Sequence, residues 1–199
     1  MTLGTDKIPQ LFQLLQQGLM VRVQAGCSVR AMLCQQLGLS PEFVEERIKT
    51  IFLDGKPVDD IDSTIIKEGS TLALSAALPG LAGATLRRGG AFASLRSQIT
   101  HPKDVASVAQ QEGFVILKLF NLVMEELGPS LLEHGVFIKK EIIKDFLRNL
   151  PGDFWAGGQA PKVDGEEIEV DELIHMNWAE NEDPVRIRVH AHDSQKGGD

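Results

Sequence analysis

The chain has 199 residues, 43% of them hydrophobic and 24% charged, with a net charge of -8; that is enough apolar material for the core of one or two globular domains. Residues 1–100 carry 10 Lys and Arg against 9 Asp and Glu, whereas residues 101–199 carry 10 against 19. An acidic half argues against general nucleic-acid binding, which needs cations to displace phosphate counterions, and the long uncharged stretch from Ser70 to Leu86 contains Pro79, Gly80 and Gly83 and is shorter than the ~20 apolar residues of a membrane helix.

Ile8, Leu11, Phe12, Leu15 and Leu19 recur at helical spacing, and Gly18 marks the stop of a short helix over 9–17. "LMVRVQAG" alternates and predicts a strand. Ser28 is placed to cap a helix through "VRAMLCQQLGL", and Ser40 with Pro41 opens a second short one. "TIFLDGKPV" runs as a strand into an Asp54-Gly55 hairpin turn. "TIIKEGSTLALSAAL" turns at Glu68-Gly69 into a strand with Leu72 and Leu74 on one face. The next stretch, "PGLAGATLRRGGAFASLRSQITHP", has no sustained period and reads as a loop or linker.

In the second half, "HPKDVASVAQQEG" suggests a short helix. "FVILKLFNLVMEELG" admits a strand at its start, but Val115, Leu119, Leu122, Val123 and Leu127 fit one helix better, ended by Gly128-Pro129. "SLLEHG" reads as a short helix, and "KKEIIKDFLRNL" as an amphipathic one with Ile142, Ile143, Phe146, Leu147 and Leu150 inward. "PGDFWAGGQAPKVDGEE" is turn-rich, "VDELIHMNWAEN" suggests a helix, "PVRIRVHAH" a final strand, and "DSQKGGD" a polar tail.

The phrases Asp54-Gly55-Lys56-Pro57-Val58 and Glu68-Gly69-Ser70, followed by Leu78-Pro79-Gly80, resemble the small sulfur carriers of the β-grasp, ubiquitin-like fold that serve thiamine and molybdopterin synthesis. The resemblance covers residues 19–84. It implies a β-grasp scaffold. Carrier chemistry would further require a free terminal diglycine whose carboxylate is adenylated and then attacked by sulfur. The aligned position here holds Ala82-Gly83-Ala84, and a diglycine follows only at Gly89-Gly90, within "TLRRGG" and with more chain after it. Carrier activity would therefore need cleavage after Gly90.

The expectation is an α+β protein with a β-grasp-like domain over 8–84, a Gly/Arg-rich linker or loop over 85–103, a mostly helical, acidic domain over 104–193 that ends in a strand, and a polar tail over 194–199. Arg87, Arg88 and Arg96 form a basic cluster beside the backbone amides of Gly89 and Gly90, a combination suited to an anion or a carboxylate. The same loop also reads simply as flexible chain with its arginines in solvent. Cys34 reads as a small core residue. Cys27 precedes a helix N-terminus, which lowers a thiol pKa, or it serves packing alone. His190 and His192 share a strand face and, with His175, are candidate metal ligands. Phe154, Trp155 and Trp178 read as anchors of a minor core. No HExxH, GxSxG or GxxxxGK[ST] motif occurs. Two cysteines and the absence of a basic-then-apolar leader suggest reduced thiols in the cytoplasm.

The function expected is a noncatalytic binding or adaptor protein that holds a protein partner through Arg87, Arg88, Gly89, Gly90 and Arg96, without a cofactor, nucleic acid or membrane. A carrier or protein-tag precursor, and a metal-dependent enzyme built on His175, His190 and His192, are the alternatives.

Overall fold

The computed structural model describes residues 1–96, 99–101, 109–156, 158–176 and 183–192. The chain forms two compact units, Met20–Met124 and Met1–Leu19 with Glu125–Asp199. It begins with β1 (Thr2–Gly4), a 3-10 turn (Thr5–Leu11) and α1 (Phe12–Gln17). The central unit then holds β2 (Leu19–Ala25), α2 (Val29–Ala31) with a π-helical continuation (Met32–Gln36), α3 (Pro41–Glu46), β3 (Thr50–Leu53), β4 (Lys56–Pro57), β5 (Thr71–Ser75), α4 (Gly80–Leu86), a 3-10 turn (Ala93–Arg96) and β6 (Gln111–Phe120). The chain continues through α5 (Asn121–His134), β7 (Val136–Ile138), α6 (Lys140–Arg148), β8 (Lys162–Val163), β9 (Glu166–Glu167), α7 (Val170–His175), β10 (Val185–Ile187) and β11 (His190–His192). Helices and mixed strand pairing together make this an α+β chain. No described helix is long and apolar enough to cross a membrane.

In the central unit the strands lie in the order β2-β6-β5-β3-β4. β3 pairs antiparallel with both β4 and β5, while β5 pairs parallel with β6, Thr71 opposite Ile116 and Ser75 opposite Phe120. Local chemistry accounts for the turns. Asp54 (φ 50°) and Gly55 (φ 77°) make the tight β3–β4 turn. The Asp54 carboxylate also accepts from the Thr71 amide at 2.7 Å and the Ser70 hydroxyl at 3.1 Å, joining that turn to the start of β5. Ser28 and Ser40 cap their helices, accepting from the amides of Ala31 and Phe43. Leu72 and Leu74 of β5 are fully buried with Val115, Leu117 and Leu119 of β6 and with Val29, Met32 and Leu33 of the α2 segment.

Three expectations need correction. Residues 111–120 are a strand, not the start of one long helix. Val115, Leu117 and Leu119 alternate with half-buried neighbours, and the apolar run crosses from strand to helix at Asn121, whose φ of 52° turns the chain. Asn tolerates that left-handed conformation, and its side chain donates to Ser75 Oγ at 3.1 Å. Second, Gly128-Pro129 does not end a helix: α5 runs on to His134, absorbing "SLLEHG". A Cβ at Gly128 would stand 2.5 Å from Leu15 Cδ1, so this glycine serves packing against α1.

Third, residues 85–103 do not separate the two units. The described part of this stretch belongs to the central unit, as does β6, and the division falls at Leu19/Met20 and inside α5. Its described residues include the end of α4 and the 3-10 turn, and backbone bonds from Arg88 to Lys49 and from His101 to Pro57 tie them down.

In the other unit β1 pairs parallel with β11, β7 antiparallel with β10, and β8 with β9 through a second Asp-Gly turn, Asp164-Gly165. The expected final strand is thus two strands with different partners, and β7, β8 and β9 were not anticipated. Ile143, Phe146 and Leu147 of α6 are buried, Ile142 and Leu150 less so. Phe154 is buried edge-on between Phe146 and Trp155, with ring centroids at 6.5 and 5.0 Å. The helix expected over "HPKDVASVAQQEG" falls mostly outside the described residues, and its end, Gln111 to Gly113, begins β6 instead; Trp178 and the polar tail also lie outside the described residues.

Gly26 sits at φ 87°, and a Cβ there would meet Ala109 O at 2.7 Å. Gly26→Ala combines a disfavoured φ with a backbone clash, and should lower stability by about 1–3 kcal/mol in urea unfolding. Gly55→Ala, at a similar φ with open space around it, should cost less.

Candidate functional site

The "TLRRGG" segment begins in the last turn of α4, and its Arg87-Arg88-Gly89-Gly90 part lines one side of a polar cleft of about 780 Å³ in the central unit. Across from it stand Arg30 of α2, Glu45 of α3 and the Asp59–Asp62 loop. That loop is stitched to α2: the amides of Val29 and Arg30 donate to the carbonyls of Thr64 and Ile61 at 3.0 and 2.9 Å. Asp60 holds the turn by accepting from the amides of Asp62 and Ser63, both at 3.1 Å.

The charges are largely paired. Arg30 bridges Asp62 and Glu45, and the far oxygen of Glu45 takes Arg88 at 2.9 Å. These carboxylates raise the Arg30 pKa beyond its already high value. Hydrogen bonding from Arg30, together with the charge of Arg88, holds the Glu45 carboxyl below its ordinary 4.5. Arg88 also donates to the Val44 carbonyl at 3.1 Å, and Lys49 Nζ to the Glu45 carbonyl at 2.7 Å.

Arg96 does not face the cleft. It is 5% exposed and grips Asp59 with both terminal nitrogens, at 3.0 and 2.7 Å. Its remaining bonds go to Thr85 O at 2.6 Å, Arg87 O at 3.2 Å and Thr100 Oγ1 at 2.9 Å. All five guanidinium N–H groups therefore have an acceptor. The Gly89 amide donates to the same Asp59 carboxylate at 3.2 Å, and the Gly90 amide to Arg87 O at 3.1 Å. The position imagined for an outside carboxylate beside Gly89 is held by the protein's own Asp59.

Of the five residues named from sequence, then, Arg87, Arg88, Gly89 and Gly90 line the cleft and Arg96 stands behind it as a structural tie. The reading of the loop as free chain with solvated arginines fails for Arg88 and Arg96, because carboxylates distant in sequence fold onto them. Arg87 alone keeps an exposed guanidinium with no partner among the described residues. Sequence reasoning missed Arg30, Glu45, Asp59 and Asp62; their one signal was the acidic phrase "DDID" in an otherwise balanced half.

The remaining candidates do not converge. Among the described residues no group of three His, Cys, Asp or Glu is placed to hold a metal. His175 Nδ1 lies 2.7 Å from the Asp171 carbonyl within its own helix, and His190 and His192 are both exposed on β11. Cys27 and Cys34 are free thiols. Burial raises the Cys27 pKa, contrary to the helix-terminus reading, and Gln36 Nε2 lies 3.2 Å from its sulfur.

No family model, curated protein or solved structure matches the chain.

Asp59→Asn keeps the shape of the tie but leaves the Arg96 charge buried without a counter-charge. It should cost about 3 kcal/mol in urea unfolding and speed hydrogen exchange at the Gly89 amide. Glu45→Gln, at a half-exposed position, should cost no more than about 1 kcal/mol at neutral pH. A carboxyl whose pKa is depressed by folding stabilises above its ordinary pKa and loses that contribution as pH falls through the folded value. The stability gap between the wild type and Glu45→Gln should accordingly close as pH drops below 4.5.

Proposed function

We propose that the chain is a noncatalytic cytoplasmic adaptor that holds a protein partner on the 80–101 segment of a β-grasp-like unit. The observation that carries this reading is the placement of exposed apolar side chains. Leu81, Phe92, Leu95 and Ile99 are 75, 47, 75 and 56% exposed, and Leu122 is the one other large apolar residue found exposed among those described. They belong to α4 and to the 3-10 turn with the residues around it, two elements that pack on each other. Arg87, exposed and without a side-chain partner among the described residues, lies between them in the chain. A partner segment that offers apolar side chains and one carboxylate matches this set by hydrophobic burial and by charge.

The β-grasp reading draws support from the Asp54-Gly55 hairpin, the Glu68-Gly69 turn and the helical segment 29–36 between strands of a mixed sheet. Where a carrier's tail would begin, this chain enters α4 and later adds β6 beside β5. Release of a tail at Gly90 would break a turn held to Asp59 and Arg96, which favours the adaptor over the carrier precursor. Free thiols at Cys27 and Cys34 suit a reducing compartment.

The test is quantitative capture from the host of origin, using the tagged full chain beside Leu95→Glu, Arg87→Glu and the remote control Arg148→Ala. All four should melt alike. Proteins enriched by the wild type and the control should fall about tenfold or more with Leu95→Glu and with Arg87→Glu, the size of a single strong contact. The same enriched set on all four baits would reject the proposal.

A further inference from the structure

The chain contains two Asp-Gly pairs, and both sit in tight turns of the same kind. Asp54-Gly55, at φ 50° and 77°, joins β3 to β4; Asp164-Gly165, at φ 53° and 92°, joins β8 to β9. With no Cβ on the glycine, the amide nitrogen after each aspartate is open to attack, and a Cβ built at either glycine would meet nothing within 4 Å.

What differs is the hold on the carboxylate and on the turn. The Asp54 carboxylate accepts from the Thr71 amide at 2.7 Å and from the Ser70 hydroxyl at 3.1 Å, and the Asp54 amide donates to the Thr71 carbonyl at 2.9 Å. Its hairpin is the edge of a sheet that continues through β5 and β6. Asp164 is exposed; among the described residues its carboxylate has no donor and the Gly165 amide no acceptor. β8 and β9 form a sheet of two strands, two residues each. So small a hairpin is marginal in water, and its turn opens at little cost. Val163 and Asp164 also stand in the lining of a second cleft, of about 570 Å³, in the unit formed by the chain ends.

We propose that Asp164-Gly165 is a modification site, where isoaspartate forms spontaneously while Asp54-Gly55 is protected. The Gly165 amide nitrogen attacks Cγ of the protonated Asp164 carboxyl. The N–Cγ bond forms, the Cγ–OH bond breaks, and the hydroxyl leaves with the amide proton as water. Water then adds to the cyclic imide at the backbone carbonyl carbon of Asp164 and cleaves its bond to nitrogen, so the chain runs on through Cγ. Opening at Cγ instead restores the aspartate. One water leaves and one returns, with no oxidant, reductant or other reactant. The product carries one more carbon in the main chain, so the two-residue turn no longer holds Lys162 opposite Glu167. The bridge between those residues, at 3.2 Å, and the cleft lining at Val163 change with it. This site is independent of the 80–101 surface.

The experiment incubates the full folded chain at mildly acid pH, where a fraction of aspartates is protonated, and samples it over time beside the same chain in urea. Peptides carrying each pair are read by electron-transfer fragmentation, which tells isoaspartate from aspartate at equal mass. In the folded chain isoaspartate should accumulate at 164, and at least about tenfold more slowly at 54, because attack there first gives up the bonds to Thr71 and Ser70. In urea both pairs are free, and the two rates should converge. Equal rates in the folded chain, a faster rate at 54, no isoaspartate at 164, or a gap of the same size persisting in urea would each overturn the proposal.

Discussion

The parallel pairing of β5 with β6 is the constraint on which the central unit depends. Parallel neighbours cannot be joined by a tight turn; the chain must leave one end of the sheet and return to the other. Here the crossover uses residues 76–110, and little of it is strongly apolar. It is kept in place by polar anchors. The pair of Arg96 with Asp59 is the strongest of them: a buried guanidinium with every donor engaged, closing the crossover onto the loop that follows β4. Arg88 on Glu45 and on the Val44 carbonyl adds a second anchor.

That arrangement gives the diglycine segment its character. A flexible tail would leave Gly89 and Gly90 open to any enzyme that threads a chain. Here the Gly89 amide shares the Asp59 carboxylate with Arg96, so the turn and the buried ion pair rest on one acceptor. Arg87 remains exposed, between Leu81 and Phe92 in the chain.

The two clefts differ in chemistry. In the central unit, carboxylates and arginines neutralise one another across the hollow, so it is largely a structural network, with Arg87 the one lining cation unpaired among the described residues. In the unit formed by the chain ends, the hollow has apolar Ile143, Leu147 and Leu173 in its lining, and Arg186 and Arg188 beside it both reach the His134 carbonyl.

Much of the central unit was legible in the sequence because its signals are local. Asp54-Gly55 selects a tight turn by its backbone angles, Ser28 and Ser40 reach the amides three residues on, and the alternation around Leu72 and Leu74 marks a half-buried strand wherever it pairs. The strand at 111–120 was obscured because apolar residues continue past Asn121 into α5, so two periods overlap in one run. What only the tertiary structure decided is non-local: that β6 inserts beside β5, that Asp59 and Glu45 fold onto Arg96 and Arg88, and that Arg186 and Arg188 reach the His134 carbonyl. A charged side chain carries the same sequence signature whether it ends in water or in a buried pair. Its partner is chosen by the path of the whole chain, and no local period records that path.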